Sequence, residues 1–384
     1  MIRIAYYSHI CFSDVDLSYL SCLRKVPDIE VYYFIPVING RSLKSAAISI
    51  DEQYKKNGVF NASVYPSISK YADIIDIDKT YVVNAYGGYI RRLLVFIQLL
   101  FKLLKLRIDV LHVTDFYEYY EFILYLLKKK TVLTVHDPLP HSNVTSKSDT
   151  FYRKKAFNSF RNYFILNKAQ REEFISHYRL ENCNVYNSGL GPYTYLKRYN
   201  DLCVKYKPYV LYFGRITSYK GLDYLLPAML KVHEKYESIN LVVAGRGDFG
   251  FDISDYKKLS YIHFLNDFIP DNELVGLIKG SEFVVCPYID ATQSGVVMSS
   301  YTFNKVVVAT RTGGLPEMLE EGRLGPLITP KSTDDIIHAI LTLLDEPSKI
   351  KQYETAICDK YTGQKSWESI VDYNLNVYKI IAKV

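Results

Sequence analysis

The chain has 384 residues, 48% hydrophobic and 23% charged, with a formal net charge of +6. That length exceeds what one core usually serves and predicts two domains, while the apolar share excludes a disordered or fibrous chain. The mild positive charge suits anionic small molecules or an acidic membrane surface, and it is too dispersed to argue for a nucleic-acid partner.

In chain order, short β-branched and aromatic runs predict strands over residues 2–7, 30–34, 109–113, 132–136, 163–166, 209–213, 241–244, 283–286 and 306–309. Helical patterns fall between them, at 118–127, 169–178, 222–235, 272–279 and 333–344. Strands apolar on both faces that alternate with helices indicate parallel sheets covered on both sides. The fold class expected is α/β, with two Rossmann-like doubly wound domains facing a cleft. The polar, turn-rich stretch from Gly191 to Asp201 is the expected joint. It separates an N-terminal domain over 1–195 from a C-terminal one over 200–364, with a tail, 365–384, that can pack back on the first. In such folds ligands bind beyond the carboxyl ends of the strands.

The first strand begins at once, with no basic and apolar leader ahead of it, and the longest uncharged apolar run, 93–101, falls far short of the ~20 residues that span a bilayer. Six scattered cysteines with no CxxC pair read as reduced thiols, with neither a disulfide framework nor a zinc site. The localisation expected is cytoplasmic. Tyrosine is abundant, at 36 residues, and many of these are expected at surfaces. Residues 89–107 read as a helix on which Arg91, Gln98, Lys102 and Lys105 share one narrow stripe. That pattern fits either a core helix with one solvated edge or a helix docked, at the periphery, on an anionic membrane leaflet.

Two segments carry chemistry. In Tyr209-Val-Leu-Tyr-Phe-Gly214-Arg215-Ile-Thr-Ser-Tyr-Lys220-Gly221, a strand ends in Gly-Arg and Lys-Gly opens a helix. Two cations then flank a helix N-terminus, where unpaired N–H groups favour an anion; the bland alternative is surface Arg and Lys capping loops. The second segment is a buried strand followed by Pro287-Tyr-Ile-Asp-Ala-Thr292-Gln293-Ser294-Gly295, then another strand followed by Thr310-Arg-Thr-Gly313-Gly314-Leu-Pro-Glu317. Thr292, Gln293 and Ser294 are candidate helix caps that leave backbone N–H groups for phosphate or sugar hydroxyls, and Gly313-Gly314 permits close backbone approach to a ligand. Each loop alone is more often punctuation than a site; their succession changes the reading. The Gly245-Arg-Gly-Asp-Phe-Gly250 string spells GxGxxG but lacks the apolar helix that a dinucleotide site needs.

These residues, with Leu241-Val-Val-Ala-Gly245-Arg-Gly247, Asp109-Val-Leu-His112-Val and Thr134-Val-His136-Asp-Pro-Leu-Pro-His141-Ser142, resemble a GT-B-fold retaining glycosyltransferase of the family 4 type, the glycosyl transferases group 1. The resemblance covers most of the chain and is strongest over 209–330. It implies a UDP- or GDP-sugar donor held by the C-terminal domain, bound as substrate with no other cofactor and no metal. It implies a saccharide or lipid-linked acceptor on the other domain, as in cell-surface polysaccharide assembly. Arg215, Lys220 and His136 would be catalytic: the two cations neutralise the departing diphosphate and His136 contacts the donor sugar. Gly214, Thr292, Gln293, Ser294, Gly295, Gly313, Gly314 and Glu317 would bind the donor, and His141 and Ser142 are acceptor-side candidates. One departure stands out. The family carries two glutamates eight apart after the Pro-containing strand, and an ungapped match puts Ala291 and Ser299 there. The rival readings are therefore an inactive binding partner of an active transferase, or a nucleotide-sugar epimerase or phosphorylase of the same fold.

Overall fold

The computed structural model describes the chain apart from residues 39–46, 51–55, 115–118, 140–146, 201, 203, 363–365 and 384. The chain divides into two compact units. One runs through Gly191 and takes in Trp367–Val384, and the other comprises Pro192–Ser366.

The first unit is built on strands β1 (Ile2–Tyr7), β2 (Ile29–Ile38), β3 (Gly58–Asn61), β4 (Thr80–Ala85), β5 (Val110–Val113), β6 (Thr131–Val135), β7 (Asn162–Ile165) and β8 (Asn184–Asn187). Its α-helices are α1 (Ser13–Leu23), α2 (Pro66–Ser69), α3 (Tyr89–Lys105), α4 (Lys147–Phe157) and α5 (Arg171–Tyr178). The sheet order is β3-β4-β2-β1-β5-β6-β7-β8. Every pairing is parallel except β3 with β4. The direction of winding reverses at β1, which has β2 on one side and β5 on the other.

The second unit has strands β9 (Tyr209–Phe213), β10 (Asn240–Ala244), β11 (Ile262–Leu265), β12 (Val284–Cys286), β13 (Val307–Thr310) and β14 (Leu327–Ile328) in the order β11-β10-β9-β12-β13-β14, all parallel. Helices α6 (Leu222–Lys235), α7 (Asp271–Gly280), α8 (Gly295–Tyr301), α9 (Leu315–Met318), α10 (Thr333–Asp345) and α11 (Pro347–Thr362) accompany it. Leu211, Val242, Val284 and Val307 have no exposed surface, as strands covered on both faces require. Each such side chain contributes about 1.5–3 kcal/mol on burial. The winding reverses between β9 and β12, so the loops leaving these two strands open on one edge of the sheet.

The expected α/β class with two doubly wound units is therefore what the chain adopts. Three expectations change. Residues 118–127 do not form an α-helix: Tyr119–Lys130 is a 3-10 helix, packed against α3, and residue 118 lies outside the described residues. The strands β3, β4, β8, β11 and β14 go beyond the predicted set. Tyrosine is also less a surface residue than expected, because ten tyrosines are among the largest fully buried side chains. Several of their hydroxyls are satisfied internally, for example Tyr209 Oη donating to the Leu277 carbonyl at 2.7 Å and Tyr71 Oη to that of Ala47 at 2.8 Å.

The last helix, α12 (Trp367–Ala382), belongs to the first unit. A buried polar chain attaches it: Tyr378 Oη pairs with Tyr19 Oη at 2.7 Å and with His112 Nδ1 at 2.6 Å, and His112 Nε2 pairs with Thr134 Oγ1 at 2.6 Å. Burial pushes His112 down to about 3, so the imidazole is neutral at physiological pH.

Candidate functional site

The carboxyl edge of the second sheet is assembled from three loops. The first leaves β9 as Gly214-Arg215 and passes through a 3-10 turn, Ser218–Lys220, into α6. Gly221 joins turn to helix at φ +69°, and a Cβ there would lie 1.9 Å from the Pro287 carbonyl oxygen. Only glycine lets the first loop lie this close to the second. The Ile289 amide donates to the Tyr219 carbonyl at 2.8 Å, closing the same junction. The third loop, after β13, is tied to the second in the same manner. Gly313 takes φ +53° with its Cβ direction blocked by the Ala291 carbonyl, the Gly314 amide donates to the Thr292 carbonyl at 3.1 Å, and Thr310 Oγ1 donates to the Tyr288 carbonyl at 2.6 Å.

On this edge Lys220 Nζ lies 3.5 Å from the centroid of the Tyr288 ring, which is itself buried. The aromatic face holds this half-buried ammonium in place. Arg215 differs. It is exposed and, among the described residues, makes no hydrogen bond or ion pair. The α6 terminus contributes less than the sequence suggested, because the exposed Asp223 in its first turn already brings a carboxylate there. The positive charge argued for this edge therefore comes from Arg215 and Lys220 rather than from the helix terminus.

The remaining donor candidates divide by what the protein itself asks of them. Ser294 caps α8, its Oγ accepting from the Val297 amide at 3.4 Å while lying 3.4 Å from Tyr288 Oη. Thr292 is buried and offers its carbonyl to the third loop. Gly214 approaches α8, with Val296 Cγ2 3.1 Å from where a Cβ would stand, and Gly295 lies under the Tyr193 hydroxyl. Gln293 and Glu317 are half-buried, Glu317 in the short α9 that Gly314 opens. The structure thus brings Gly214, Lys220, Thr292, Ser294, Gly313 and Gly314 to one edge through contacts of their own loops. Ala291 and Ser299, at the two glutamate positions, are both buried. Cys286, beneath Tyr288, has its thiol pushed up to about 12 by burial, which leaves it inert as a nucleophile.

His136 lies in the first unit, directly after β6. Its ring stacks on Phe12 at a centroid distance of 3.9 Å and an interplanar angle of 9°, and it is 7% exposed. Burial pushes its pKa down to about 4, so it too is neutral at physiological pH. His141 and Ser142 lie outside the described residues. The sequence reading missed a neighbouring cluster on the loop after β1. Glu121, with no exposed surface, accepts from Tyr7 Oη at 2.6 Å and lies 2.8 Å from His9 Nε2. These partners are more than a hundred positions apart, so no local pattern links them. Tyr288 was missed for a different reason: it follows Pro287 in plain view, but only packing puts its ring under Lys220.

Residues 207–346 match the family described as "Glycosyl transferases group 1", a span that contains all three loops. An uncharacterized glycosyltransferase of Methanocaldococcus jannaschii is 29% identical over 179 residues, covering 44% of this chain and 44% of that protein. The chain spans less than half the length of the curated relatives it matches. Among solved structures, sucrose-phosphate synthase from Thermosynechococcus elongatus matches with a TM-score of 0.69 at 14% identity, over 99% of both chains. The Anabaena protein HepE, in complex with UDP and glucose, matches with a TM-score of 0.63 at 16% identity over both full chains. The second unit thus contains a domain matching the glycosyl transferases group 1, and the chain along its length shares the two-unit fold of these solved structures.

Proposed function

We propose that this protein transfers a sugar from a nucleoside-diphosphate donor, UDP- or GDP-linked, to a saccharide or lipid-linked acceptor. The observation that carries this reading is the pair of cations on the edge of the second sheet: Lys220 seated over Tyr288, and Arg215 exposed with no partner among the described residues. In the transfer, the bond between the anomeric carbon and the phosphate oxygen breaks and its electron pair leaves with the diphosphate. An acceptor hydroxyl forms the new bond to that carbon and gives up its proton. Charge develops on the departing diphosphate, so fixed cations lower the barrier without a bound metal. Ligands seen in the HepE structure support a nucleotide sugar as the small molecule concerned.

Transfer is proposed to retain the anomeric configuration. His136, neutral because it is buried, is proposed as a hydrogen-bonding imidazole for a sugar hydroxyl rather than as a general base. With Ala291 and Ser299 at the glutamate positions, the donor contacts fall instead to backbone groups of the Thr292–Gly295 and Gly313–Gly314 loops. A role in cell-surface polysaccharide assembly in the cytoplasm completes the proposal. The test is calorimetric titration with UDP, GDP and their sugar conjugates in the presence of EDTA. Micromolar, chelator-insensitive binding of one diphosphate supports the reading and names the base. Absence of binding to any of them rejects it in favour of an inactive partner. Donor isomerisation without transfer to an acceptor would favour the epimerase alternative.

A further inference from the structure

Helix α3 exposes an apolar stripe opposite its buried face. Val95, Phe96, Leu99 and Leu103 are buried in the first unit's core. Ile90, Leu94, Phe101 and Leu104 are 71%, 54%, 67% and 52% exposed. At about 100° per residue these four, with the half-buried Ile97, fall within a stripe roughly 80° wide, centred opposite the buried four. Residues 89–107 contain no Asp or Glu. Arg91 and Lys105 lie on one flank of the stripe, and Arg107 follows two residues after the helix ends, at φ +51°. All three are exposed and have no carboxylate partner among the described residues. The 3-10 helix packed beside α3 adds the exposed Leu126, Lys128 and Lys129.

We propose that this face of α3 docks on an anionic lipid bilayer, lying in the plane of the interface. The occupant follows from the charge. An apolar stripe of this kind buries at the boundary between headgroups and acyl chains, and its flanking cations meet anionic headgroups. A second copy of the chain is a poor fit, because a symmetric pairing sets the same acid-free, positively charged face against itself. Among the described residues no helix is long and apolar enough to cross a membrane, so the contact is peripheral. Two of the cations that the sequence placed on the polar stripe or beside it are used internally. Lys102 Nζ lies 4.2 Å from the Tyr81 ring centroid, and Arg92 Nε donates to the Gly87 carbonyl at 2.6 Å. The docking charge is therefore Arg91, Lys105 and Arg107. The inference stands on this face alone and does not depend on sugar transfer.

The test is cosedimentation of the full chain with phosphatidylcholine vesicles, with and without phosphatidylglycerol. Two variants accompany the wild type: Ile90→Gln/Leu94→Gln/Phe101→Gln and Arg91→Gln/Lys105→Gln/Arg107→Gln. Because the substituted side chains are exposed, both variants should melt like the wild type. The wild type is expected to bind only the phosphatidylglycerol vesicles, and each variant to bind them about a hundredfold more weakly. The proposal is overturned if the wild type ignores anionic vesicles or binds neutral ones equally, or if either variant binds as the wild type does. It is also overturned if light scattering finds a wild-type dimer that the apolar variant converts to monomer, which would assign the face to a second copy.

Discussion

Replacing Arg215 and Lys220 separately should dissociate binding from stability, because the structure gives the two cations different surroundings. Arg215 is exposed and makes no hydrogen bond or ion pair among the described residues, so Arg215→Ala should leave folding within about 0.5 kcal/mol of the wild type. Lys220 lies 3.5 Å from the centroid of a buried tyrosine ring. A partly desolvated contact of that kind is worth about 1–2 kcal/mol, and Lys220→Ala should lower the melting temperature by a few degrees. Toward a diphosphate the two should act alike. A charge-assisted hydrogen bond to phosphate contributes about 1.5–3 kcal/mol, so each variant should bind UDP or GDP roughly ten- to a hundredfold more weakly. Added salt should erode the exposed Arg215 contribution more than that of the half-buried Lys220. Calorimetric titration at low and high salt, beside thermal melts of the same preparations, reads both quantities. If Arg215→Ala binds the diphosphate like the wild type while Lys220→Ala loses only stability, the loop is not the diphosphate site and Lys220 is a packing residue.

Three further outcomes are expected. Gly313→Ala should cost at least about 2 kcal/mol in urea denaturation, because the added carbon meets the Ala291 carbonyl at a left-handed φ; an unchanged midpoint would refute the close approach of the two loops. Asp16 is buried on α1, where it accepts from Tyr6 Oη at 2.8 Å and Tyr33 Oη at 3.0 Å, and burial raises its pKa from 3.8 to about 7. The folded state thus holds this proton more tightly than the unfolded one. Its contribution is complete below about pH 4 and is lost as pH climbs to about 7, so Asp16→Asn should flatten that slope relative to the wild type in urea melts across this range. Tyr378→Phe should destabilise the first unit by about 1–3 kcal/mol by stranding His112 Nδ1 and removing one partner of the Tyr19 hydroxyl; hydrogen exchange in α12 should rise, and unaltered protection there would count against the polar chain as its anchor.

The alternation of apolar runs with amphipathic stretches was enough to read the α/β class and two doubly wound units. The bounds of β1, β9 and α6 coincide with the residues picked from sequence. These are buried or half-buried elements whose own residues carry the signal. Four of the five strands that escaped, β3, β8, β11 and β14, are sheet-edge strands of only two to four residues, while the fifth, β4, is six residues long and lies between β3 and β2. The pairing of the edge strands comes from a neighbour, not from their own periodicity. The loops with Gly214-Arg215, Lys220-Gly221 and Gly313-Gly314 were legible because cations and glycines at strand ends have a local chemical meaning. What joins those loops was not, since it consists of contacts between the first and second loops, about seventy residues apart, and between the second and third, about twenty apart.

For α3, periodicity gave a wide apolar surface and could not say which part the core would cover. Packing against the sheet took Val95, Phe96, Leu99 and Leu103 and left Ile90, Leu94, Phe101 and Leu104 in solvent. The same holds for His9 with Glu121 and for the Tyr19–Tyr378–His112 chain, where the partners meet only once distant strands and helices are in place. Local sequence determined most of the central strands and the longer helices and where the charged loops begin, because those depend on residues within a few positions of one another. Tertiary structure decided which of those residues are exposed and which lie in the core, because burial is a property of the neighbours that folding brings.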